Sequence, residues 1–197
     1  MIYCGIDTET TGLPNQRLNP KDPKQARVLQ VALKLVTEEG RVISQFSTLI
    51  KPSGWTDIHP KAFDAHGITK EDCEHFGIDA FRAFTVFKHY ADLADTFVAH
   101  NADFDRGMMK MEADALGLDM PTKPWHCTMK QATPICKVPP TEAMKRVGRT
   151  HFKNANLKEA LKILCRKELI GAHDAMNDVN GCLDIFFEMK EREKDAA

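Results

Sequence analysis

Hydrophobic and polar positions near the N-terminus predict three consecutive β-strands. Residues 2–6 are mostly apolar and run directly into an acidic motif, while residues 28–36 and 42–50 are rich in β-branched side chains. The sequence EEGR between the second and third segments is typical of a hairpin turn. We therefore expect the sheet to begin as an antiparallel meander rather than as a doubly wound parallel sheet.

Helical periodicity replaces this pattern further along the chain. In residues 80–94 the apolar side chains recur with helical spacing, at Phe81, Phe84, Phe87 and Ala91. A short apolar strand at 96–99 then leads into a helix predicted over 103–117, which Gly117 ends. This order of elements is that of an α/β protein.

The segment after the helix predicted over 103–117 has no clear periodicity. Residues 119–154 contain five prolines and are predicted to be mostly irregular, with short helical pieces. Helices resume over 156–165 and 174–192. The second of these has an apolar stripe formed by Met176, Val179, Leu183, Phe186 and Phe187, with Cys182 alongside. Because the chain has no repeat, low-complexity tract or linker, we expect a single domain over 1–197.

Composition is that of a globular protein. The 197 residues are 43% hydrophobic and 28% charged, which excludes a disordered chain and allows one domain with a substantial core. No apolar run approaches the length that spans a bilayer, and no basic leader precedes the first strand. We expect a cytoplasmic protein that does not associate with membranes.

The six cysteines lie far apart, and none forms a C-x-x-C pair. They are interpreted as free thiols, most of them packed in the core. Four potential zinc ligands do occur within a short stretch: His126, Cys127, Cys136 and His151. Their spacing matches no common zinc finger, so a zinc site there is the less favoured alternative.

Charge is unevenly distributed despite a net charge of −1. Residues 121–170 hold eleven Lys or Arg and three acidic residues. A smaller basic cluster within residues 14–27 consists of Arg17, Lys21, Lys24 and Arg27. Such a pattern is compatible with an ordinary solvated surface. Beside an acidic site, however, basic flanks would attract a phosphate backbone, and we favour this interpretation.

The first acidic motif, IDTETTG, follows the first strand. Side chains two residues apart in a strand project to the same side, so Asp7 and Glu9 can bind one cation together. Ile2, Cys4 and Ile6 would then face the core. The TTG turn that follows allows backbone groups to approach a sugar or phosphate closely.

The second motif, AHNADFD, enters the helix predicted over 103–117. Asp103 and Asp105 are both candidate metal ligands, and either could instead complement the positive end of the helix dipole. Asn101 or Asp103 could cap the helix, which would leave Asp105 free to turn towards the site.

The third motif, HDAMND, opens the last helix. Asp178 lies off the apolar stripe of an otherwise buried helix, where an acid needs a partner such as a cation. His173 would lie about 140° away on an ideal helix, so it is better placed in the preceding loop, with Gly171 providing flexibility. Four other histidines are interpreted as caps or surface residues: His59, His75, His89 and His151.

In order and spacing, these motifs resemble the signatures of the DEDDh branch of 3′–5′ exonucleases, typified by the proofreading epsilon subunit of bacterial DNA polymerase III. The matching blocks are DTETTGL at 7–13, HGIT at 66–69, HNADFD at 100–105 and HDAMND at 173–178. The tyrosine branch of that superfamily places a Tyr where this chain has Asp174. The resemblance implies an α/β, ribonuclease H-like fold: a mixed five-stranded sheet, antiparallel in its first three strands and flanked by helices.

The resemblance also implies a hydrolase that uses two divalent cations, Mg²⁺ or Mn²⁺. Asp7, Glu9 and Asp178 would bind the cation that carries the attacking water. Asp7 and Asp105 would bind the second cation, near the leaving oxygen. His173 would be the general base, so activity would rise as pH passes through the imidazole range.

By the same resemblance, residues near the first motif would bind the end of the substrate. Thr10 and the backbone beside it, including Thr11, would bind the terminal 3′-hydroxyl. Leu13, His66 and Phe104 would pack around the terminal nucleotide. Such an apolar wedge suits single strands, because base stacking tolerates any sequence.

We therefore expect an exonuclease that releases nucleoside 5′-monophosphates from the 3′ ends of DNA, with single strands favoured. RNA ends are the alternative substrate, and a nucleic-acid-binding module without catalysis is a further alternative. Segments 14–27 and 119–154 are longer and more basic than in the proofreading subunit, and the chain ends soon after the last helix. These departures favour a free-standing exonuclease over a polymerase partner.

Overall fold

A five-stranded mixed sheet forms the centre of the structure, a computed structural model that describes residues 1–55 and 57–195. Thr56, Ala196 and Ala197, which the predicted domain 1–197 includes, lie outside the described residues. The strands, in sheet order, are β3 (Val42–Leu49), β2 (Val28–Thr37), β1 (Ile2–Thr10), β4 (Thr96–Ala99) and β5 (Trp125–Cys127).

The first three strands are antiparallel neighbours, while β4 runs parallel to β1 and β5 parallel to β4. The predicted meander and the mixed five-stranded α/β fold are therefore confirmed. β1 extends through Thr10, beyond its predicted end at residue 6, because Glu9 and Thr10 still pair with β2. The first acidic motif is consequently part of the strand itself.

Eight α-helices surround the sheet in the described part of the chain. They are α1 (Pro60–His66), α2 (Lys70–Phe76), α3 (Ala80–Asp92), α4 (Ala102–Leu116), α5 (Thr128–Cys136), α6 (Glu142–Arg146), α7 (Leu157–Ala160) and α8 (Ala175–Asp195). A π-helical turn, Leu161–Cys165, continues α7. The predicted helices correspond to α3, α4, α7 with its continuation, and α8. The hydrophobic pattern did not reveal α1 and α2, which together bury only Cys73.

Opposite faces of the sheet carry different helices. Cys4 and Ile6 point into the core, as predicted, and Ile2 packs against it. The same cluster contains Phe84 of α3 and Met108 of α4. Phe81 was predicted to share the apolar face of α3 with Phe84 and Phe87. It is exposed, whereas those two side chains are buried. The other face packs against α8, whose predicted apolar stripe lies on Tyr3 and Val98.

Gly5 brings α8 unusually close to β1. A Cβ atom at this position would lie 2.9 Å from Leu183 Cγ and 3.0 Å from Val179 Cγ1, closer than carbon atoms pack. Glycine therefore lets the last helix lie directly on the central strand. Because Asp178 precedes Val179, this contact also carries its carboxylate towards Asp7 on the same face of β1.

The cysteines are free, and Cys4, Cys73 and Cys182 are buried. The alternative zinc site does not form. His126 hydrogen-bonds to Gln131 at 2.5 Å, and His151 is exposed. Among the described residues, the one group of His, Cys, Asp or Glu with ligand-like spacing lies elsewhere. No helix within residues 1–55 and 57–195 has the length and hydrophobicity to cross a membrane.

Candidate active site

The acidic motifs meet at one edge of the sheet. Because β1 and β4 are parallel, their carboxyl ends lie at the same edge. Asp7 and Glu9 occupy the end of β1, and Asp105 lies in the first turn of α4, which follows β4. Asp178 joins them from the first turn of α8. Three distant parts of the chain thus contribute carboxylates to one place.

Glu9, His173 and Asp178 form the tightest group. One potential ligand atom from each lies within 4.8 Å of the other two. His173 Nδ1 lies 4.0 Å from Glu9 Oε1. The pairing of β1 with β2 shifts register between Glu9 and Thr10, an irregularity of the kind that redirects side chains beside functional sites.

Asp7 lies among the other carboxylates. Burial raises its pKa well above the usual range, and repulsion from Asp105, Asp178 and Glu9 raises it further. Burial also raises the pKa of Glu9, with repulsion from Asp178 and Asp105, to about 8. The pKa of Asp178 is raised by burial as well. The four acids therefore crowd negative charge into a poorly solvated space.

The two aspartates of the second motif, Asp103 and Asp105, lie in different environments. Asp105 is 2% exposed and accepts a 2.9 Å hydrogen bond from the Thr8 hydroxyl. Burial raises the pKa of Asp105 to about 7, although that hydrogen bond lowers it. Asp103 instead lies on the surface and pairs with Arg106 and Lys130.

The side-chain cap that the sequence allowed at Asn101 does not form among the described residues. Asn101 occupies the capping position in a left-handed conformation, with φ of 72°, and its side chain makes no capping hydrogen bond. The short polar side chain of asparagine tolerates this backbone conformation better than most residues do. Asn101 therefore helps to turn the chain between β4 and α4 through its backbone.

A divalent cation fits this set of residues. Among the described residues, no Lys or Arg forms an ion pair with Asp7, Glu9, Asp105 or Asp178. Uncompensated buried carboxylates are costly and are normally paired with a cation. Carboxylate oxygens are the ligands that Mg²⁺ and Mn²⁺ prefer. The four carboxylates can hold the metal, with His173 at the margin.

His173 lies in the loop before α8, as predicted from its spacing to Asp178. Its φ of 66° is left-handed, and Gly171 is left-handed two residues earlier with φ of 65°. The backbone N–H of His173 donates to both oxygens of Asp178, at 3.3 and 3.4 Å. The imidazole is 53% exposed, so it can meet a substrate or a water molecule.

A cleft of about 440 Å³ opens beside Glu9. It is lined by Thr10, Leu13, His66 and Phe104, residues to which the resemblance assigned contacts with the end of the substrate. The side chain of Leu13 is exposed, which leaves it available to a ligand. A cleft of this size, with apolar and polar walls, lies within the range of small-molecule binding sites.

The HGIT motif supports this cleft structurally. Gly67 ends α1 in a left-handed conformation, with φ of 67°, and the chain turns there into α2. His66 Nδ1 accepts from the Ile68 N–H at 3.0 Å, so Nε2 carries the proton and donates to the Thr10 carbonyl at 3.1 Å. Burial lowers the pKa of His66. This neutral imidazole therefore supports the backbone of Thr10 as well as lining the cleft.

Thr11 does not line the cleft that contains Thr10 and Leu13. It lines a neighbouring cavity, its hydroxyl accepts from the backbone N–H of Arg27, and its own N–H donates to the Arg27 carbonyl. Arg27 is also removed from the predicted basic flank, because its guanidinium pairs with buried Glu112 at 3.2 Å. Thr11 and Arg27 thus anchor the 14–27 segment to the domain.

Several residues at the site were not predicted from the sequence, and three of them have polar side chains that bear on its geometry: Thr8, Lys61 and Gln30. Thr8 holds Asp105, and Lys61 lines the cleft. Gln30 hydrogen-bonds the loop that carries His173. A usable signal existed for Gln30, since a polar residue interrupts the apolar run of β2. Thr8 lies inside the acidic motif, but it projects to the opposite face from Asp7 and Glu9.

The sequence and the fold of the chain are both similar to those of known exonucleases. The family model for exonucleases, RNase_T, matches residues 4–186. No curated protein sequence matches the chain. Among solved structures, the chain is similar to E. coli exonuclease I in complex with a dT13 oligonucleotide, with 18% identity and a TM-score of 0.75. That match covers 99% of this chain and 43% of that chain.

Two further structures show the same fold. The zinc-bound form of the E. coli exonuclease I complex with single-stranded DNA is 18% identical, with a TM-score of 0.75, and the match covers 98% of this chain and 41% of that chain. A moderately thermophilic exonuclease I from Methylocaldum szegediense is 17% identical, with a TM-score of 0.70 and the same two coverages of 98% and 41%. The chain thus spans about two fifths of these proteins.

Proposed function

This chain belongs to the exonuclease family, and from that premise we propose that it is a metal-dependent 3′–5′ exonuclease of the DEDDh type that acts on single-stranded DNA. The observation that carries the proposal is the cluster of Asp7, Glu9, Asp105 and Asp178, which has no Lys or Arg partner among the described residues and has His173 beside it. A binding module without catalysis would gain nothing from retaining buried acids at such a cost.

The proposed cofactor is a pair of divalent cations, Mg²⁺ or Mn²⁺. When bound, they would neutralise the phosphate charge and lower the pKa of water. Asp7, Glu9 and Asp178 would hold one cation, and Asp7 with Asp105 the other. The raised pKa values of Glu9 and Asp105 support this assignment, because a cation would favour their ionised forms.

His173 is the proposed general base. Its ring is half-exposed, and its Nδ1 lies 4.0 Å from Glu9 Oε1 at the edge of the carboxylate cluster, where it would contact the attacking water molecule. In its neutral form the imidazole accepts the proton of that water. Asp178 supports the base by accepting from its backbone N–H, which limits the movement of the loop.

The cleft is the proposed binding site for the 3′-terminal nucleotide. Leu13 and Phe104 provide apolar contacts for a base, and Thr10 offers its backbone, which His66 holds in place. Single-stranded DNA is the preferred substrate in this proposal. The similarity of the fold to exonuclease I bound to DNA oligonucleotides supports it.

As part of the same proposal, residues 1–197 form one exonuclease domain that acts in the cytoplasm. A sheet continuous from β3 to β5, with helices on both faces, supports a single domain. Six free thiols suit a reducing compartment. The exposed Lys137, Arg146 and Arg149 belong to the basic 119–154 segment that would attract the phosphate backbone.

The substrate class can be tested with DNA and RNA oligonucleotides of identical sequence, labelled at the 3′ end and offered as single strands and as duplexes. The proposal predicts that single-stranded DNA is degraded fastest in Mg²⁺ or Mn²⁺. Faster degradation of RNA would make this an exoribonuclease. Binding without release of mononucleotides in Mn²⁺ would make it a binding module.

A further inference from the structure

Gln30 is a polar residue in the apolar strand β2, directly beside the carboxylate cluster. It pairs with Glu9 in the antiparallel register of β1 and β2. Directly opposed residues of an antiparallel pair project to the same face, so Gln30 and Glu9 share the face that packs against α8. This places the amide of Gln30 next to the loop that enters α8.

Both ends of the Gln30 amide are used there. Its Nε2 donates to Asp174 Oδ2 at 3.1 Å, and its Oε1 accepts from the Ala175 N–H at 3.0 Å. The other oxygen of Asp174 accepts from the backbone N–H groups of Met176 and Asn177, at 3.1 and 3.2 Å. Gln30 thus joins the central sheet to Asp174, which caps the N-terminus of α8, and to Ala175, the first residue of that helix.

His173 immediately precedes this pair of hydrogen-bonded residues. Its left-handed backbone, with φ of 66°, is unfavourable for a residue other than glycine and persists only where surrounding contacts enforce it. Asp178 holds the His173 N–H on one side, and Gln30 holds Asp174 and Ala175 on the other. Because the ring is half-exposed, the position of the loop backbone strongly limits where the ring can lie.

We propose that Gln30 is a positioning residue for His173: it holds the loop 173–175 so that the imidazole stays directed at the reacting water. This inference rests on the proposed exonuclease function. It concerns a residue of β2, which lies outside the three acidic motifs. A misplacement of about 1 Å in a reacting group costs up to about 100-fold in rate.

The test replaces Gln30 with leucine, which has similar volume but no hydrogen-bonding groups. Lys34→Met is the matched control, because Lys34 lies on the same strand and face and hydrogen-bonds to Asn180 of α8, away from the loop. For Gln30→Leu we expect kcat to fall about 10- to 100-fold. We expect KM and the calorimetric Mn²⁺ affinity to change less than about threefold, and Lys34→Met to retain the wild-type kcat.

A second readout does not depend on turnover. Hydrogen–deuterium exchange of the metal-free proteins should show faster exchange of the Ala175 amide in Gln30→Leu, and unchanged exchange there in Lys34→Met. This measurement also shows whether the variant is folded, because the amides of β1 and β2 must remain protected.

The outcomes separate this inference from the function on which it rests. If the wild-type protein hydrolyses single strands but Gln30→Leu keeps the wild-type kcat, the positioning role is wrong and the exonuclease function stands. Loss of Mn²⁺ affinity in parallel with kcat would also contradict positioning of the base, since the metal ligands would then be affected. If the wild-type protein hydrolyses neither DNA nor RNA, both proposals fall.

Discussion

The hydroxyl of Thr8 donates a 2.9 Å hydrogen bond to Asp105 Oδ1 and thereby joins β1 to the first turn of α4. Both residues are buried, so Asp105 has little access to water. Thr8 projects away from Asp7 and Glu9, yet it controls where the fourth carboxylate lies. The alternating sides of one strand therefore carry two carboxylates of the cluster, Asp7 and Glu9, and the hydroxyl that bonds another, Asp105.

Replacing Thr8 with valine should weaken metal binding. The substitution keeps the side-chain shape but removes the donor, so Asp105 loses the partner that orients it. Loss of such a supporting partner typically costs about 10- to 100-fold in metal affinity or activity. Isothermal titration with Mn²⁺ measures the effect, and Thr8→Ser, which keeps the hydroxyl, serves as the control. Wild-type affinity in Thr8→Val would show that this hydrogen bond does not orient a metal ligand.

The metal-free protein should lose stability as pH rises. The folded-state pKa of Glu9 is about 8 against an ordinary value of 4.5, and that of Asp105 is about 7 against 3.8. Because these pKa values are raised, folding favours the protonated forms. Their contribution is fully present below pH of about 4 and is lost as pH rises towards 8.

Asp105→Asn isolates this effect, since an asparagine oxygen can still accept from Thr8. In the presence of a chelator, we expect its Tm to exceed that of the wild type by about 3–6 °C at pH 8 and to match it near pH 4. Asp103→Asn is the control two residues away, because the pKa of Asp103 is lowered by its hydrogen bond with Lys130. A gain at pH 8 for Asp103→Asn as large as that for Asp105→Asn would contradict this account.

Divalent cations should stabilise the folded protein. Cations that neutralise the repulsion around Asp7 bind the folded state and not the unfolded chain. At 100 times the dissociation constant this contributes about 2.7 kcal/mol, or about 5–10 °C in Tm. Thermal denaturation with Mn²⁺ at constant ionic strength measures the shift, which Asp7→Asn should greatly reduce. A Tm indifferent to saturating Mn²⁺ would count against the metal site.

Removing the imidazole should separate catalysis from binding. We expect His173→Ala to reduce kcat about 10²- to 10⁴-fold, the usual contribution of a general base. Affinity for single-stranded DNA, measured by fluorescence anisotropy in Ca²⁺, should stay within about threefold of the wild type, because the cleft lies beside Glu9 and not on His173. Parallel loss of binding and turnover would remove His173 from the role of base.

Much of this arrangement could be predicted because its signals are local. The alternation that makes 2–6 a strand also orients Asp7 and Glu9, and a five-residue separation was enough to place His173 in the loop before the helix of Asp178. The choice of Asp105 over Asp103 as a ligand rested on the resemblance, since both lie in the first turn of the same helix. The structure distinguishes them through burial and through the distant partners Thr8 and Lys130.

The remaining features depend on long-range contacts that no local pattern records. Thr8 meets Asp105 across 97 residues, and Gln30 meets Ala175 across 145. Arg27 belonged to a basic cluster by sequence, and only the packing of α4 reveals buried Glu112 as its partner. The helices α1 and α2 escaped prediction because they bury too little apolar surface to produce a helical periodicity.

A single-stranded DNA oligonucleotide labelled at its 5′ end shows directly whether the protein is a metal-dependent exonuclease that starts at the 3′ end. In Mn²⁺ we expect a ladder of labelled strands that shortens one nucleotide at a time, together with unlabelled nucleoside 5′-monophosphates. Chelation of the metal or His173→Ala should stop the ladder. Immediate release of a labelled mononucleotide, internal cleavage, or an undiminished ladder in chelator would contradict it.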